Sequence, residues 1–265
     1  LTMLWGSCAH TTVNISQHPS STLTSTIIKL IMEALEFYNN YNNPTGASSS
    51  SSEMKKLASL CVSHNLFLFS DEAYFDTLFE GKPRSIVSMP DMRKRTLILY
   101  TFSKKFAMTG WRLGAAIGPS NLISEISRLN VNNESCTTHF VQHAGVAGLK
   151  ESQEEVKEIN TILKARRDLA ISILRTIEGI EVHTPVAGFY LFPKITKIMS
   201  ARGFSNLEEF RKAALKETGV SFCDRNHFGK SLHGETDHYI RLAFSGISKS
   251  RLEEGLLRFK DWVSL

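Results

Sequence analysis

Short apolar runs, each followed by polar residues, mark the predicted strands of this chain. Residues 66–69 and 97–100 are apolar throughout, which is typical of strands that are buried on both faces. A third run, at 114–118, is rich in Gly and Ala and is also predicted to be a strand. Helical or irregular segments separate these runs, so the pattern predicts an α/β fold with a mostly parallel sheet.

The first part of the chain follows a different pattern. Residues 1–26 are rich in Ser and Thr and show no clear periodicity, which favours a loop, a tail or an irregular cap. Residues 27–37 favour a helix, and a stretch of turn-forming residues follows at 39–46. Ser50 and Glu53 then form a predicted capping box at the start of the next helix.

A long helical pattern lies between two predicted domains. From residue 152 onwards, apolar residues recur at helical spacing until Gly179, which predicts a helix long enough to connect two domains. The pattern beyond it predicts a smaller α+β unit. Its strands are expected at 188–192 and 239–244, and its helices at 207–216 and from about Ser250 onwards.

The composition is that of a globular protein. Of the 265 residues, 42% are hydrophobic and 22% are charged, and this length predicts one or two domains. No apolar run approaches the roughly 18 residues that span a bilayer, and no signal-peptide pattern is visible. The net charge is +5 and the longest basic run is only 93–95, so we expect neither a membrane nor a nucleic acid as partner.

The cysteines and histidines do not form a metal-binding pattern. His139 and His143 are four residues apart, but no acidic third ligand is near them in sequence, so we expect no metal site. The cysteines lie far apart without a CxxC pair, which favours a reduced, cytoplasmic setting. They are Cys8, Cys61, Cys136 and Cys223.

Aromatic residues cluster after Gly188. We interpret Phe189, Tyr190 and Phe192 as core packing rather than as a platform on which bases stack. Gly188 leaves room for a close approach of the backbone, so a substrate-facing role for this segment is kept as an alternative.

Three polar clusters fall at the predicted carboxyl ends of strands or in turns beside them. They contain Asn43, Asp71 with Tyr74, and Lys104. In open α/β sheets the ligand crevice lies outside these strand ends. We therefore expect the three clusters to converge on one site.

Motifs in the same order and at similar separations resemble those of the class I and II aminotransferases. They are Asn-Pro-Thr-Gly at 43–46, Asp-Glu-Ala-Tyr at 71–74, Thr-Phe-Ser-Lys at 101–104 and Gly-Trp-Arg-Leu-Gly at 110–114. Ile-Arg-Leu-Ala-Phe-Ser at 240–245 adds a match near the C-terminus. The resemblance, which is to aspartate aminotransferase-like members, runs from about Asn39 to the end of the chain.

The resemblance implies the fold type I of enzymes that depend on pyridoxal 5'-phosphate (PLP). In that fold, helices cover both faces of a mostly parallel sheet, and a smaller α+β domain follows. The implied division is a divergent N-terminal segment at 1–42, the later half of the PLP-binding large domain at 43–150, and an interdomain helix with the small C-terminal domain at 151–265. The phosphate-capping motif and the ring-stacking aromatic residue of the family are not found in residues 1–42.

The resemblance also implies roles for residues around the cofactor ring. Lys104 would form a Schiff base with PLP and later carry the proton from the substrate Cα. Asp71 would pair with the pyridine nitrogen, so that the ring can accept electrons. Tyr74 and Asn43 would bind the 3′-oxygen of the ring and lower the pKa of the Schiff base.

Anion-binding roles are implied for two arginines. Arg112 would hold the cofactor phosphate, with help from the hydroxyl groups of Thr101 and Ser103. Arg241 would bind the substrate α-carboxylate, with Asn43 as a second substrate-binding residue, and so orient the Cα–H bond for cleavage.

The implied activity is amino-group exchange between an L-amino acid and a 2-oxo acid in amino-acid biosynthesis. A homodimer is implied as well, because family members complete each other's sites. The context of residues 106–112 gives aspartate a modest lead over aromatic amino acids as the substrate. Two alternatives remain open: a truncated, inactive relative and a PLP-dependent lyase on the same fold.

Overall fold

The strands of the computed structural model form two separate sheets, one in each of two units of the chain. The structure describes residues 2–6, 35–231 and 233–264. Unit 1 contains the described residues of Leu1–Asn40, together with Ser49–Asp76 and Lys82–Gln153. Unit 2 contains Tyr41–Ser48, Thr77–Gly81 and the described residues of Glu154–Leu265.

The sheet of unit 1 has the strand order β1-β5-β4-β3-β2. Strands β3 and β4 are parallel, as predicted, and β2 is parallel to β3, whereas β5 runs antiparallel to both β4 and β1. The connection from β4 to β5 lacks the long crossover helix that a parallel return needs, so the sheet as a whole is mixed. The strands are β1 (Thr2–Gly6), β2 (Leu35–Asn39), β3 (Phe67–Asp71), β4 (Thr96–Thr101) and β5 (Gly114–Gly118).

Two expectations for the start of the chain are corrected where the structure describes it. Residues 35–37 are not helical, because β2 pairs with β3 along its whole length, from Leu35 opposite Phe67 to Asn39 opposite Asp71. Thr2–Gly6 is a strand rather than a loop or tail, since its backbone pairs with β5. The remainder of both expectations, residues 7–34, lies outside the described residues.

Helix α1 begins at the predicted capping box. The backbone N–H of Ser50 donates to Glu53 Oε2 at 2.7 Å, and the backbone N–H of Glu53 donates to Ser50 Oγ at 3.3 Å. These contacts satisfy N–H groups that a helix start leaves without intrahelical partners. One small core of unit 1 forms where α1 packs on β3. Its buried residues are Met54, Ala58, Cys61, Leu68, Ile86 and Met92.

Helices α2 and α4 contribute residues to a second small core of unit 1. This core contains Phe102, Met108, Leu113 and Val141. Helices α3 and α4 were not assigned from the sequence pattern. The helices of unit 1 are α1 (Ser51–Ser63), α2 (Phe102–Lys105), α3 (Ser120–Asn133) and α4 (His139–Lys150).

Unit 2 contains the predicted long helix and a short antiparallel sheet of order β6-β8-β7. Its strands are β6 (Tyr190–Leu191), β7 (Cys223–Asp224) and β8 (Ile240–Ala243). Its helices are α5 (Glu154–Leu174), α6 (Thr196–Ala201), α7 (Leu207–Thr218) and α8 (Lys249–Val263). Within the described ranges, no helix combines the length and apolar character needed to cross a membrane.

Aromatic rings form the centre of one large core in unit 2. Phe210 is fully buried, and its ring lies 5.2 Å from that of Trp262 and 6.4 Å from that of Phe259. Buried aliphatic residues of α5 and α8 pack around these rings. Because such rings each bury a large apolar area, this core dominates the packing of the unit.

A buried arginine on α5 holds two loops of unit 2. Arg167 is 2% exposed, and its Nη1 donates to the carbonyl oxygen of Pro185 at 2.8 Å. Its Nη2 donates to Glu80 Oε1 at 2.9 Å, and its Nε donates to Asp168 Oδ1 at 2.8 Å. The guanidinium also lies over the ring of Phe79, 4.8 Å from its centre. A buried charge is tolerated here because each of the three guanidinium nitrogens donates a hydrogen bond and two carboxylates balance the charge.

Candidate active site

Asp71 is the last residue of β3, and its carboxylate is held by two donors within unit 1. Asn39 Nδ2 donates to Asp71 Oδ2 at 3.0 Å, and the backbone N–H of Ala73 donates to Asp71 Oδ1 at 3.1 Å. Asn39 reaches Asp71 because the two residues are opposite each other in the parallel pairing of β2 and β3. The sequence pattern presented Asn39 only as a turn former. Its place at a strand end opposite Asp71 is the signal that would have identified it.

The chain turns directly after Asp71. The contact from the Ala73 N–H closes a tight turn of the kind that aspartate side chains favour. Tyr74 lies in this turn and is 5% exposed. The structure therefore brings Tyr74 to the same strand end as Asp71, which the spacing of three residues had required.

A second carboxylate, that of Glu72, is buried beside Asp71. It is 6% exposed, and Ser70 Oγ donates to its Oε1 at 3.2 Å. Ser85 Oγ donates to the same oxygen. Burial raises the pKa of Glu72, and the nearby charges of Asp76 and Asp71 act in the same direction, whereas the two hydroxyl groups oppose the rise.

Lys104 lies one strand away from Asp71. Strand β4, which is parallel to β3, ends at Thr101, and the single-turn helix α2 follows at once. Thr101 caps this helix, since its Oγ1 accepts from the backbone N–H of Ser103 at 3.2 Å. Both hydroxyl residues are buried, and Lys104 is half-buried. Asp71, Thr101, Ser103 and Lys104 thus follow the carboxyl ends of two adjacent parallel strands.

The next lysine has different surroundings. Lys105 Nζ lies 3.5 Å from Asp76 Oδ1 and 5.0 Å from the centre of the Phe106 ring. Tyr100 donates its hydroxyl to Asp76 Oδ2 at 2.7 Å, and burial raises the pKa of this tyrosine. Lys105 is therefore engaged in a local ion pair with Asp76.

Arg112 lies on the surface of unit 1 in a left-handed backbone conformation, with φ of 54°. Its Nη1 donates to the carbonyl oxygen of Thr109 at 3.0 Å. Arg112 also lines a cavity of about 600 Å³ between Trp111 and the start of α4. A guanidinium at the wall of a cavity is suited to binding an anion.

Arg241 and Asn43 lie together in unit 2. Arg241 Nη1 donates to Asn43 Oδ1 at 2.9 Å, and Arg241 Nη2 lies 3.5 Å from Cys223 Sγ. Because arginine can only donate, the Asn43 oxygen must face it, and the Asn43 amide nitrogen is directed elsewhere as a donor. The strand pattern around Arg241 did not by itself predict this contact with Asn43.

Two aromatic rings stack on Arg241, and the interpretation of Tyr190 as core packing is therefore wrong. The guanidinium carbon lies 4.3 Å from the centre of the Tyr190 ring and 4.7 Å from that of Phe228. Tyr190 is half-buried rather than part of the core. Phe228 was not singled out from the sequence. In unit 1, Asp71, Thr101, Ser103 and Lys104 lie at or just after the ends of β3 and β4, whereas Arg112 lines a cavity whose other lining residues are not among the predicted site residues. In unit 2, Asn43 and Arg241 are in contact.

The histidine pair lies on α4. The ring centres of His139 and His143 are 4.7 Å apart in an edge-to-face arrangement. In the part of the chain that the structure describes, no three His, Cys, Asp or Glu side chains are grouped so that they could hold a metal ion.

Known proteins are similar to this chain in sequence and in fold. The family model for aminotransferase class I and II matches residues 31–259. An aspartate aminotransferase of Sulfurisphaera tokodaii is 33% identical over 86% of this chain and 55% of that protein. Aromatic-amino-acid aminotransferase 2 of Thermococcus litoralis is 32% identical over 84% of this chain and 55% of its own length.

Solved structures give the same result. An aromatic aminotransferase from Pyrococcus horikoshii superposes with a TM-score of 0.79 and 29% identity, over 91% of this chain and 63% of that one. The α/β fold is therefore that of the PLP-dependent aminotransferases of fold type I. The chain spans about half the length of the curated relatives it matches. Since the family model covers most of this sequence, the chain belongs to the class I and II aminotransferases.

Proposed function

We propose that this chain binds pyridoxal 5'-phosphate and exchanges the amino group between an L-amino acid and a 2-oxo acid. The observation that carries the proposal is that Asp71 is the last residue of β3 and that Lys104 lies three residues beyond the end of the adjacent parallel strand β4. Ligands of open α/β sheets bind at such ends. Membership of the aminotransferase family supports the same chemistry.

The side chains of unit 1 fit this cofactor. The Asp71 carboxylate, held by two donors, is suited to a protonated ring nitrogen, and Lys104 supplies a primary amine. Arg112, with the buried hydroxyl groups of Thr101 and Ser103, is suited to a phosphate. When bound, the cofactor supplies an electron sink that stabilises negative charge at the substrate Cα.

Lys104 performs the proton transfer in this proposal. Its primary amine would hold the cofactor covalently. With substrate bound, the same amine would remove the proton from the substrate Cα as a general base. Tyr74 and the Asn43 amide nitrogen would donate hydrogen bonds to the ring oxygen, which would favour the ionised form of that oxygen.

Arg241 binds the substrate α-carboxylate in this proposal. A guanidinium pairs with a carboxylate through two parallel hydrogen bonds, which fixes the orientation of the Cα–H bond. Asn43, whose oxygen accepts from Arg241 at 2.9 Å, acts as the second substrate-binding residue.

The test is a visible spectrum of the purified protein followed by borohydride reduction. We expect an absorbance band and, after reduction, a stable adduct on the peptide that contains Lys104. Lys104→Ala should abolish the adduct and lower kcat by about a thousandfold or more. Lys105→Gln is the matched control, because it removes the neighbouring lysine and should leave the adduct on Lys104 unchanged.

Each alternative gives a different result in this experiment. A protein that remains colourless with added cofactor, in its wild-type form, would be the inactive relative. A coloured protein that consumes the amino acid without transferring its amino group to an added 2-oxo acid would be a lyase. Equal transamination by wild type and Lys104→Ala would contradict the assignment of Lys104.

The amino-acid substrate is proposed to be aspartate, ahead of aromatic amino acids. The sequence context of residues 106–112 supports this order. Relatives named for aspartate and for aromatic amino acids match at nearly equal identity, so both belong in the test. A panel of amino acids with one common 2-oxo acid, compared by kcat/KM, decides between them.

A homodimer is proposed as the working form. Large apolar side chains are exposed on unit 1, and such surfaces are typical of protein contacts. They are Trp111, Leu129, Val131 and Phe140, which are between 48% and 67% exposed. Sedimentation of the full chain at increasing concentration tests this, and a monomer at every concentration would contradict it.

The cytoplasm is the proposed location, and amino-acid biosynthesis is the proposed process. The described cysteines, Cys61, Cys136 and Cys223, have free thiols, which suits a reducing compartment. Fractionation of the source cells, with immunodetection of the chain, tests the location.

A further inference from the structure

Arg241 occupies a local environment in unit 2 that its proposed role does not explain by itself. It lies on the central strand β8, directly opposite Cys223 of β7. Tyr190 comes from β6 on the other side, and Phe228 ends the 3₁₀ helix Arg225–Phe228 that follows β7. Three separate elements therefore supply the neighbours of a single side chain.

The two rings constrain the plane of the guanidinium. Its carbon is 4.3 Å from the centre of the Tyr190 ring and 4.7 Å from that of Phe228, well within the range of a cation–π contact. A guanidinium that stacks on aromatic faces keeps its hydrogen-bond donors in its own plane, free to point outward. Rotation of Arg241 out of this plane would break both contacts.

The donors of Arg241 are only partly used. An arginine carries five N–H donors. One on Nη1 is taken by Asn43 at 2.9 Å, and one on Nη2 is directed at the weak acceptor Cys223 Sγ at 3.5 Å. The Nε–H is buried and meets no acceptor among the described residues. In the contacts of these residues, one further donor remains on each of Nη1 and Nη2, and a carboxylate can accept from both nitrogens.

We propose that Tyr190 and Phe228 are positioning residues that clamp Arg241, so that its two remaining Nη donors are presented to a carboxylate before that carboxylate binds. The inference deepens the proposed function and rests on it for the identity of the ligand, the α-carboxylate of an amino acid or 2-oxo acid. The clamp itself is a property of unit 2 and can be measured without turnover.

Pre-organisation predicts a specific kinetic signature. A long, flexible arginine loses side-chain freedom when it is fixed by a ligand, and the clamp removes that loss from the binding step. Loss of one ring should therefore weaken carboxylate binding and raise KM. It should affect kcat less, since the same contact is present in the ground state and the transition state.

The experiment uses the full chain and propionate as the probe, a plain carboxylate without an amino group. The Nε–Hε signal of Arg241 is followed by NMR, because the aromatic faces shift it through their ring currents. In Phe228→Leu we expect this signal to move towards the value of a free arginine and the Kd of propionate to rise about five- to tenfold. Phe228→Tyr keeps the stacked ring and should restore both values.

Phe192→Leu is the matched control. The Phe192 ring touches the edge of Phe228 at 6.3 Å and stacks on Tyr239 at 5.2 Å, without a stacked contact on Arg241. This variant should leave the signal and the Kd near their wild-type values. An unshifted Arg241 signal in the wild type, or a Kd that Phe228→Leu does not change, would overturn the clamp. An intact clamp in a protein that never gives the Lys104 adduct would support this inference while the proposed function fails.

Discussion

The two units of this chain are stabilised in different ways. Among the residues that the structure describes, unit 2 has one large core centred on Phe210, whereas unit 1 has two small cores, one beneath α1 and one around Phe102. Unit 1 instead buries polar groups at the ends of its strands, including Ser70, Glu72 and Thr101. It also carries the exposed apolar residues near the cavity of Arg112.

This difference shows how buried polar groups at a proposed binding site replace part of the apolar packing of a unit. Polar groups are retained inside a protein only when they are hydrogen-bonded, and each one takes space from apolar packing. In unit 1 that space is used at the strand ends where the proposed cofactor site lies. In unit 2, Arg241 and Asn43 are half-buried, and the large core is apolar although the unit also buries Arg167.

The largest expected effect comes from the centre of unit 2. Phe210→Ala should lower the free energy of unfolding of unit 2 by about 3–5 kcal/mol, because it removes a fully buried ring and leaves a cavity. Hydrogen exchange during urea unfolding can assign the loss to α7 and α8. Leu215→Ala, on the exposed side of α7, should change stability by less than about 1 kcal/mol. If the amides of α1 in unit 1 lost as much protection from hydrogen exchange as those of α7 and α8, the two units would not differ as described.

The buried arginine of unit 2 gives the next effect. Arg167→Met should lower stability by about 2 kcal/mol, because the buried Pro185 carbonyl loses its donor. Glu80 and Asp168 are 57% and 47% exposed, so water can solvate them in the variant. Urea denaturation measures the change. Lys164→Met removes only an exposed ion pair with Asp168 and should cost about 0–1 kcal/mol, and a larger loss there would contradict the comparison.

The pH dependence of the free energy of unfolding tests the buried position of Glu72 in unit 1. Its pKa is raised in the folded state, so its contribution to stability is fully present below the ordinary value of 4.5 and is lost as the pH rises through the folded pKa. Glu72→Gln retains the acceptor oxygen without the charge. The variant should therefore match the wild type near pH 4 and exceed it by on the order of 1 kcal/mol at pH 8.

The matched control for this pH profile has the opposite sign. The hydrogen bond from the Ser50 side chain lowers the pKa of the exposed Glu53, so its contribution is present at neutral pH and is lost as the pH falls through the lowered pKa. Glu53→Gln should thus differ from the wild type at neutral pH and converge with it in acid. Parallel profiles for the two glutamine variants would be inconsistent with a buried, desolvated Glu72.

The smallest effect concerns the loop between Lys104 and Arg112. Ala107 has φ of 53°, a left-handed conformation that glycine adopts without strain. Ala107→Gly should raise stability by about 0.5–1 kcal/mol, offset in part by the greater freedom of glycine in the unfolded chain. Ala147→Gly, at an exposed position of α4, should lower stability by about 1 kcal/mol. A loss of stability in both variants, measured by urea denaturation, would argue against strain at Ala107.

Local signals were sufficient for several elements of the fold. The capping box of Ser50 and Glu53 determines where α1 begins, and the apolar runs identify β3 and β4, because these features depend on neighbouring residues. The motif residues Asp71 and Lys104 could be named for the same reason. Strand β2 was missed because its short apolar run is equally compatible with a helix, and only pairing with β3 decides between them.

The remainder of the site depends on contacts between distant parts of the chain. Asn39 was missed because its partner Asp71 becomes visible only in the strand pairing. Tyr190 and Phe228 meet Arg241 across three short elements, a strand of two residues, a 3₁₀ helix of four and a strand of four, which carry almost no periodic signal. Stacking of this kind has no sequence spacing from which it could be predicted.

The segments Tyr41–Ser48 and Thr77–Gly81 belong to unit 2, although their neighbours in sequence belong to unit 1. Anyone who wishes to express unit 2 separately therefore cannot simply cut the gene at residue 154. A product of that cut would lack Asn43, the partner of Arg241, and both Glu80 and Phe79, which contact Arg167. A separately expressed unit 2 needs these two peptides attached through engineered linkers. Recombination that exchanges contiguous blocks between relatives would meet the same obstacle.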